Sequence, residues 1–258
     1  MKIHSQHIYD DQCAILVHKN HDIHSNHITI GVDEVGRGAL FGHMTVSAVI
    51  LDDDMTGEFD CIDLTDTPIA IINDSKKLSI KKRTLAYHAI KKTSQSHAIV
   101  DVPACVIDDI DIHQATLLGM RLAIENLITL NNLSPEHTTI IIDGDATPIL
   151  ACTFDAYQLG IQTLIKGDGL HSSVACASIL AKVHRDAAID NLAKNHPEYH
   201  LDRHKGYPTK AHIQAIHQHG ILPQHRKSFN PIRTLLHQAK IPTMTDLSTP
   251  RMDQIIPF

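Results

Sequence analysis

Apolar positions along the chain follow two periods that alternate from end to end. "CAILVH", "HITIGVDEV", "MTVSAVIL", "HAIVDVPACVI", "TTIIIDGD" and "IQTLIKGDG" are short β-branched or aliphatic runs bounded by turn residues, and each predicts a strand. "MTVSAVIL" is expected to pair with "HITIGVDEV" as a hairpin. Residues 79–96 predict a basic amphipathic helix opened by Ser79, and residues 113–130 repeat apolar positions at helical spacing. Residues 172–195 predict a further helix whose first half, "SSVACASILA", is small enough for close packing on a sheet. Weaker helical patterns cover 209–219 and 231–239. Strands mixed with helices throughout predict an α/β layered domain, with helices covering a mixed sheet.

The chain of 258 residues can bury one sizeable core, so one domain is expected over 26–240, after a short extension at 1–25. A Pro- and Thr-rich tail at 241–258 is expected to be flexible. A content of 43% hydrophobic and 20% charged residues is that of a soluble globular protein, and no run approaches the roughly 18 apolar residues of a membrane span. "MKIHSQHIYDDQ" has neither the basic start and apolar run of a signal peptide nor the character of a transit peptide, so a cytoplasmic protein is expected. Cys13, Cys61, Cys105, Cys152 and Cys176 are widely spaced, with no C-x-x-C pair, which suggests neither a disulfide framework nor a zinc site. The 21 histidines are scattered and are taken as background.

Charge adds a local pattern that the net value of −6 hides. One basic region holds Lys76, Lys77, Lys81, Lys82, Arg83, Lys91 and Lys92, and a second holds Arg203, Lys205, Lys210, Arg226 and Lys227. Two such regions in an acidic chain point to phosphate contact, with ordinary solvated faces as the alternative.

The chemistry lies where strands end. Asp33 with Glu34, Asp143, and Asp168 each close a predicted strand and lead into a glycine-containing turn. In open α/β sheets sites gather at strand ends, where a glycine leaves little steric cover. Neighbouring residues of a regular strand point to opposite faces, so Asp33 and Glu34 are expected to share a site through a bend supplied by Gly36 and Gly38. Four converging carboxylates repel one another and raise one another's pKa unless a divalent cation neutralises them. Oxygen ligands favour Mg²⁺ or Mn²⁺, and carboxylates bridging two such ions are usual equipment for phosphodiester cleavage.

Taken in order, "GVDEVGRG", "NDSKKLS", "IIDGD", "KGDG", "ASILAKVHRD", "HKGYPTKAH" and "HRKSF" resemble the ribonuclease HII family over about residues 28–232. The resemblance implies a ribonuclease H-like fold, a mixed central sheet flanked by helices with a helical C-terminal part. It implies an endonuclease that uses two divalent ions, Mg²⁺ or Mn²⁺, to hydrolyse the RNA strand of RNA/DNA hybrids. Such an enzyme also incises DNA 5′ to embedded ribonucleotides and leaves 3′-hydroxyl and 5′-phosphate ends. Carried over by position, Asp33, Glu34, Asp143 and Asp168 are the catalytic metal ligands. Gly36, Arg37 and Gly38 surround the ribose 2′-hydroxyl, and Tyr207 stands against the sugar at the RNA-to-DNA junction. Lys76, Lys77, Lys182, Lys205 and Arg226 are expected phosphate contacts, while Asp186 is expected to pair locally.

The chain departs from the family at Ala39 to Met44, "ALFGHM", where proline usually follows the turn, so a less rigid turn is expected. It also departs at Asp111 and Asp145, where asparagine is common, and through a longer first loop at 52–70. Ribonuclease HIII, which shares the chemistry, and an inactive nucleic-acid-binding protein on the same fold are the alternatives. A monomer is expected. The ending Gln254, Ile255, Ile256, Pro257 and Phe258 resembles the peptides that dock repair proteins to sliding clamps.

Overall fold

The computed structural model describes residues 8–23, 25–72, 78–151 and 159–238. Strands β1 (Ala14–Lys19), β2 (Ile28–Val35), β3 (Met44–Ile50), β4 (Ser96–Val102), β5 (Thr138–Asp143) and β6 (Gly160–Leu164) form one sheet in the order β1-β4-β3-β2-β5-β6. Pairing is antiparallel from β1 through β4 and β3 to β2, then parallel from β2 to β5 and from β5 to β6. The mixed sheet and the β2–β3 pairing are therefore as expected. "CAILVH" lies inside the expected extension yet supplies β1, an edge strand of the same sheet.

The helices are α1 (Ile80–Thr93), α2 (Ala104–Ile110), α3 (Ile112–Asn131), α4 (Ser172–Ala193), α5 (Leu201–His204), α6 (Lys210–His219) and α7 (Ile232–His237). Ser79 caps α1, its hydroxyl accepting from the Lys82 N–H. Asp111 caps α3 by accepting from the N–H groups of His113 and Gln114, which gives this acid a structural role.

"HAIVDVPACVI" proves to be two elements. Pro103 lacks an N–H for the ladder, so β4 stops before it, and "ACVI" becomes the first turn of α2 with the Pro103 carbonyl accepting from Ile107. A short apolar run does not distinguish a strand from a buried helix by its pattern alone.

Alternation within β2 builds a core on each face of the sheet. Ile30 and Val32 join α3 residues such as Leu122, Ile124 and Leu127 on one face. On the other face Val49 and Ile99 meet α1 and the small first half of α4. That approach is tight at Gly31, where a β-carbon would lie 2.3 Å from the Ser173 backbone. The first loop is pinned to this face by the buried Met55, Leu64, Ile69 and Ile72. A third apolar cluster joins Leu40 and Phe41 to the end of α4 and to α5, α6 and α7, the helical C-terminal part. No helix among the described residues is long and apolar enough to cross a membrane.

Candidate active site

Strand register brings the acids together. Val32 of β2 is paired with Ile142 of the parallel β5, so the next residues, Asp33 and Asp143, occupy neighbouring strand ends roughly 4.8 Å apart in the hydrogen-bonding direction. Asp33 points toward α4, where Ser178 hydrogen-bonds its carboxyl group. Its Oδ1 also accepts the Glu34 N–H at 2.7 Å. Asp143 Oδ1 accepts the Gly167 N–H, also at 2.7 Å, which ties the β5 end to the 3₁₀ turn Gly167–Gly169 that carries Asp168.

Glu34 and Asp168 line one cleft of about 190 Å³ with Ser178 and Lys182 of α4 and Arg83 of α1. The bend expected at Gly36 and Gly38 begins only after the two acids. β2 stays paired with β3 through Val35↔Thr45, and the turn comes afterwards, at Gly36 with φ of +91°. Glu34 lines the cleft although it is still paired with Val46 of β3, beyond the last β2–β5 pair at Val32.

The electrostatics are those of a cation site. Burial pushes the Asp33 carboxyl well above its usual pKa, and the charges of Glu34 and Asp143 push it further, against the Ser178 hydrogen bond. Burial also raises Glu34, with Asp143 adding to the effect, although Arg37 at 3.3 Å opposes it. Glu34 Oε2 is buried with no hydrogen-bond partner. A divalent cation would answer both the mutual repulsion and this orphaned oxygen, and an all-carboxylate donor set suits Mg²⁺ or Mn²⁺. Among the described residues, Glu58, Asp60 and Cys61 form the group whose ligand atoms lie within 4.8 Å of one another, so the four acids are spread more widely than a closed single-ion cage.

The remaining expected contacts divide. Arg37 and Gly38 are exposed at the rim. Half-buried Tyr207 faces them, since a β-carbon on Gly38 would lie 4.0 Å from its ring. The Arg185 guanidinium carbon lies 5.6 Å from the Tyr207 ring centroid. Lys182 lines the cleft and pairs with Asp186 at 2.9 Å, the local pairing expected of that acid, though with a lysine. Lys205 pairs with Asp190 and donates to the Asp202 carbonyl. Lys76 and Lys77 lie outside the described residues, as do Gln254 to Phe258.

Arg226 departs from expectation. It is fully buried, donating from Nε to the Gly42 carbonyl and from Nη1 to the Arg37 carbonyl, so it braces the glycine turn from beneath and does not reach a phosphate in this arrangement. "ALFGHM" is likewise firm, with Ala39, Leu40, Phe41 and Met44 all buried.

Sequence reasoning did not single out Ser178. Its signal was the i, i+4 stripe Ser178, Lys182, Asp186 along α4. It also passed over a chain of histidines behind Tyr207. His225 Nδ1 accepts the Leu222 N–H, which leaves its proton on Nε2 to donate to His212 Nε2 at 3.1 Å. His212 Nδ1 then donates to the Tyr207 carbonyl at 3.0 Å. The chain closes only with both rings neutral.

The sequence matches the ribonuclease HII family over residues 30–232. It is 45% identical to a ribonuclease HII of Psychrobacter arcticus over 225 residues, covering 81% of this chain and 78% of the relative. The chain belongs to the ribonuclease HII family. It is also 44% identical to the ribonuclease HII of Shewanella halifaxensis, over 80% of this chain and 89% of that one.

Solved structures share the ribonuclease H-like fold. The ribonuclease H2 of Pyrococcus horikoshii aligns with a TM-score of 0.62 at 22% identity, covering 82% of this chain and 98% of that one. Bst-RNase HIII in complex with Mn²⁺ aligns at 0.57 and 20% identity, over 84% of this chain and 71% of that one. The PCNA:RNase HII complex of Archaeoglobus fulgidus supplies a third likeness, with a TM-score of 0.55 at 20% identity, over 88% of this chain and 98% of that one. Family membership makes the protein a metal-dependent endoribonuclease, a hydrolase that cuts RNA within the strand.

Proposed function

We propose that the protein is a cytoplasmic endonuclease that hydrolyses the RNA strand of RNA/DNA hybrids and incises DNA on the 5′ side of embedded ribonucleotides. The observation that carries the reading is the joining of two features through β2: the strand that carries Asp33 and Glu34 near its end runs through Val35 into the turn of Gly36, Arg37 and Gly38. Whatever the turn grips is thereby placed beside the acids.

Asp33, Glu34, Asp143 and Asp168 would hold two divalent ions, Mg²⁺ or Mn²⁺. Such ions, when bound, make water a nucleophile at neutral pH and offset charge on the leaving oxygen. The side chains supply the rest. Asp33 is oriented by Ser178 and the Glu34 N–H, and Asp143 by the Gly167 N–H, so the carboxylates are set before substrate arrives. The exposed Arg37 and Gly38 present backbone and guanidinium to a ribose 2′-hydroxyl, the group that separates RNA from DNA. Tyr207, held at the rim by His212, offers a ring to the sugar on the deoxy side. Lys182 can leave Asp186 for a phosphate, and Lys76, Lys77 and Lys205 would add phosphate contacts that favour affinity over sequence choice. The products carry 3′-hydroxyl and 5′-phosphate ends.

Purified protein with Mg²⁺ or Mn²⁺ is expected to cut a DNA duplex carrying one ribonucleotide and to leave the all-DNA duplex intact, read as labelled fragments on a denaturing gel. An uncut ribonucleotide duplex would refute the proposal.

A second reading concerns a partner. The Archaeoglobus fulgidus relative is solved in complex with PCNA, and this chain ends in the apolar anchors Ile255, Ile256, Pro257 and Phe258 after a Pro-rich stretch. The tail would dock the enzyme, as a monomer, to a sliding clamp. Deleting residues 252–258 should then abolish clamp binding in a pull-down while cleavage persists; undiminished binding would end the idea.

A further inference from the structure

We infer that Arg185 and Arg226 are positioning residues for substrate recognition, a buried pair of guanidinium groups that fixes the Gly36–Gly38 turn and the approach to Tyr207 by gripping backbone carbonyls. The inference rests on the reading of that turn as the ribose contact. It assigns the reason the turn has a defined shape.

Both side chains are fully buried, and neither makes an ion pair among the described residues. Arg185 of α4 donates from Nε to the His43 carbonyl at 2.9 Å, from Nη2 to Phe41 at 3.1 Å and from Nη1 to Lys205 at 3.1 Å. Arg226 donates to Gly42 at 3.0 Å and to Arg37 at 2.8 Å. Carbonyls from four residues of the segment 37–43, and the one two residues before Tyr207, are thus held by two rigid planar forks. The main chain closes the same unit, with the Leu40 N–H on the Gly206 carbonyl and the Arg226 N–H on the Leu40 carbonyl.

Two buried cations without carboxylate partners are a costly way to support a loop, because well-packed apolar residues of similar volume often serve stability as well or better. Geometry offers the compensating reason. Each guanidinium fork orients several peptide planes at once, which neither a lysine nor an apolar side chain can do. Gly36 fits the same plan, since a β-carbon there would lie 2.2 Å from Arg185 Nε. The turn is moulded directly onto the guanidinium. Burial first, and then the charge of Arg185, pull the Arg226 pKa down to about 9, which still leaves it charged at neutral pH. The two cations therefore put positive potential beneath a rim proposed to meet a polyanion.

The test uses the full-length protein as Arg226→Met, Arg185→Met and Arg226→Lys, each assayed below its melting temperature. For duplex DNA with one ribonucleotide, Arg226→Met should raise KM roughly tenfold or more while the Mg²⁺ concentration for half-maximal rate stays unchanged. Arg226→Lys, which keeps the charge but not the planar fork that spans the Gly42 and Arg37 carbonyls, should recover part of that loss. Amide exchange in the folded Met variants should quicken at Ala39, Leu40 and Gly42 but not at Gly31 or Val32 of β2.

A wild-type KM in folded Arg226→Met would overturn the inference, as would KM, Mg²⁺ requirement and melting temperature all shifting together. Unchanged exchange at 39–42 would overturn it regardless of any activity. If Arg226→Met does not fold, Arg226→Lys with wild-type exchange and KM would do the same. If wild type cuts nothing but the turn loosens in the variants, the proposed substrate fails and the brace stands.

Discussion

Asp33→Asn is expected to abolish RNA cleavage, by about 10³-fold or more, and yet to melt at a higher temperature than wild type in metal-free buffer. Both effects come from one cause. Asp33 is 5% exposed, and burial, then the charges of Glu34 and Asp143, hold its pKa well above the usual carboxylate range. A carboxyl whose folded-state pKa is raised favours the fold below its unfolded pKa, and that advantage is lost as pH rises through the folded value. At neutral pH an ionised Asp33 therefore works against the fold. Asparagine keeps the shape and can still accept from the Glu34 N–H, but it carries no charge to repel and little affinity for a divalent ion. Added Mg²⁺ should raise the wild-type melting temperature and move that of Asp33→Asn less. A variant no more stable than wild type without metal would show that the clustered charges cost the fold nothing; retained cleavage would remove Asp33 from the reaction.

Acid should unfold the protein steeply, beginning below about pH 6.5. Burial lowers the pKa of His43, His97 and His212 to about 4 each, and that of His225 to about 3. For His225 the charge of His212 adds to the effect. A histidine with a depressed folded-state pKa stabilises the fold above its unfolded pKa, and this contribution is lost as pH falls toward the folded value. Between those limits each such histidine removes about 1.4 kcal/mol of stability per pH unit, because the unfolded chain binds the proton first. The four together are worth several kcal/mol over the first one to two units, on the order of a small domain's whole stability. Protonation of Asp33 and Glu34 works in the opposite direction and should make the metal-free slope shallower. Urea midpoints followed from pH 7.5 to 5 measure the slope, and a flat profile between pH 6.5 and 5 would contradict the assignment of these rings as neutral. In the folded protein His212 and His225 stay neutral across this window, so the His225–His212–Tyr207 chain persists and substrate affinity should hold until the protein unfolds.

The two cases show which parts of the protein can be read before it folds. The four acids were legible because each follows a β-branched run and precedes a glycine, and strand ends are where a sheet exposes side chains to a cleft. Asp33 and Asp143 needed only the parallel register of β2 and β5 to become neighbours. The helices α1, α3, α4 and α6 were legible from local periodicity, which depends on residues three and four apart. Pro103 divided what looked like one apolar run, because the pattern of a few buried residues is the same for strand and helix.

Burial of charge was not legible at all. Arg226 reads as a surface cation in a basic region and lies fully buried because carbonyls distant in sequence, Arg37 and Gly42, converge on it. "ALFGHM" reads as the loss of a stiffening proline, but Arg185 and Arg226 hold the segment instead. The histidines looked like scattered background until the C-terminal helices stacked His204 on His212 and brought His225 within hydrogen-bonding distance of His212. By itself the sequence determined the family, the strand ends and the local helices, since these depend on residue type, motif order and near neighbours. Only the tertiary structure decided which cations meet solvent, which rings stay neutral and what holds the turn: burial sets the first two, and the third depends on partners more than a hundred residues away along the chain, as with Arg226 and Arg37.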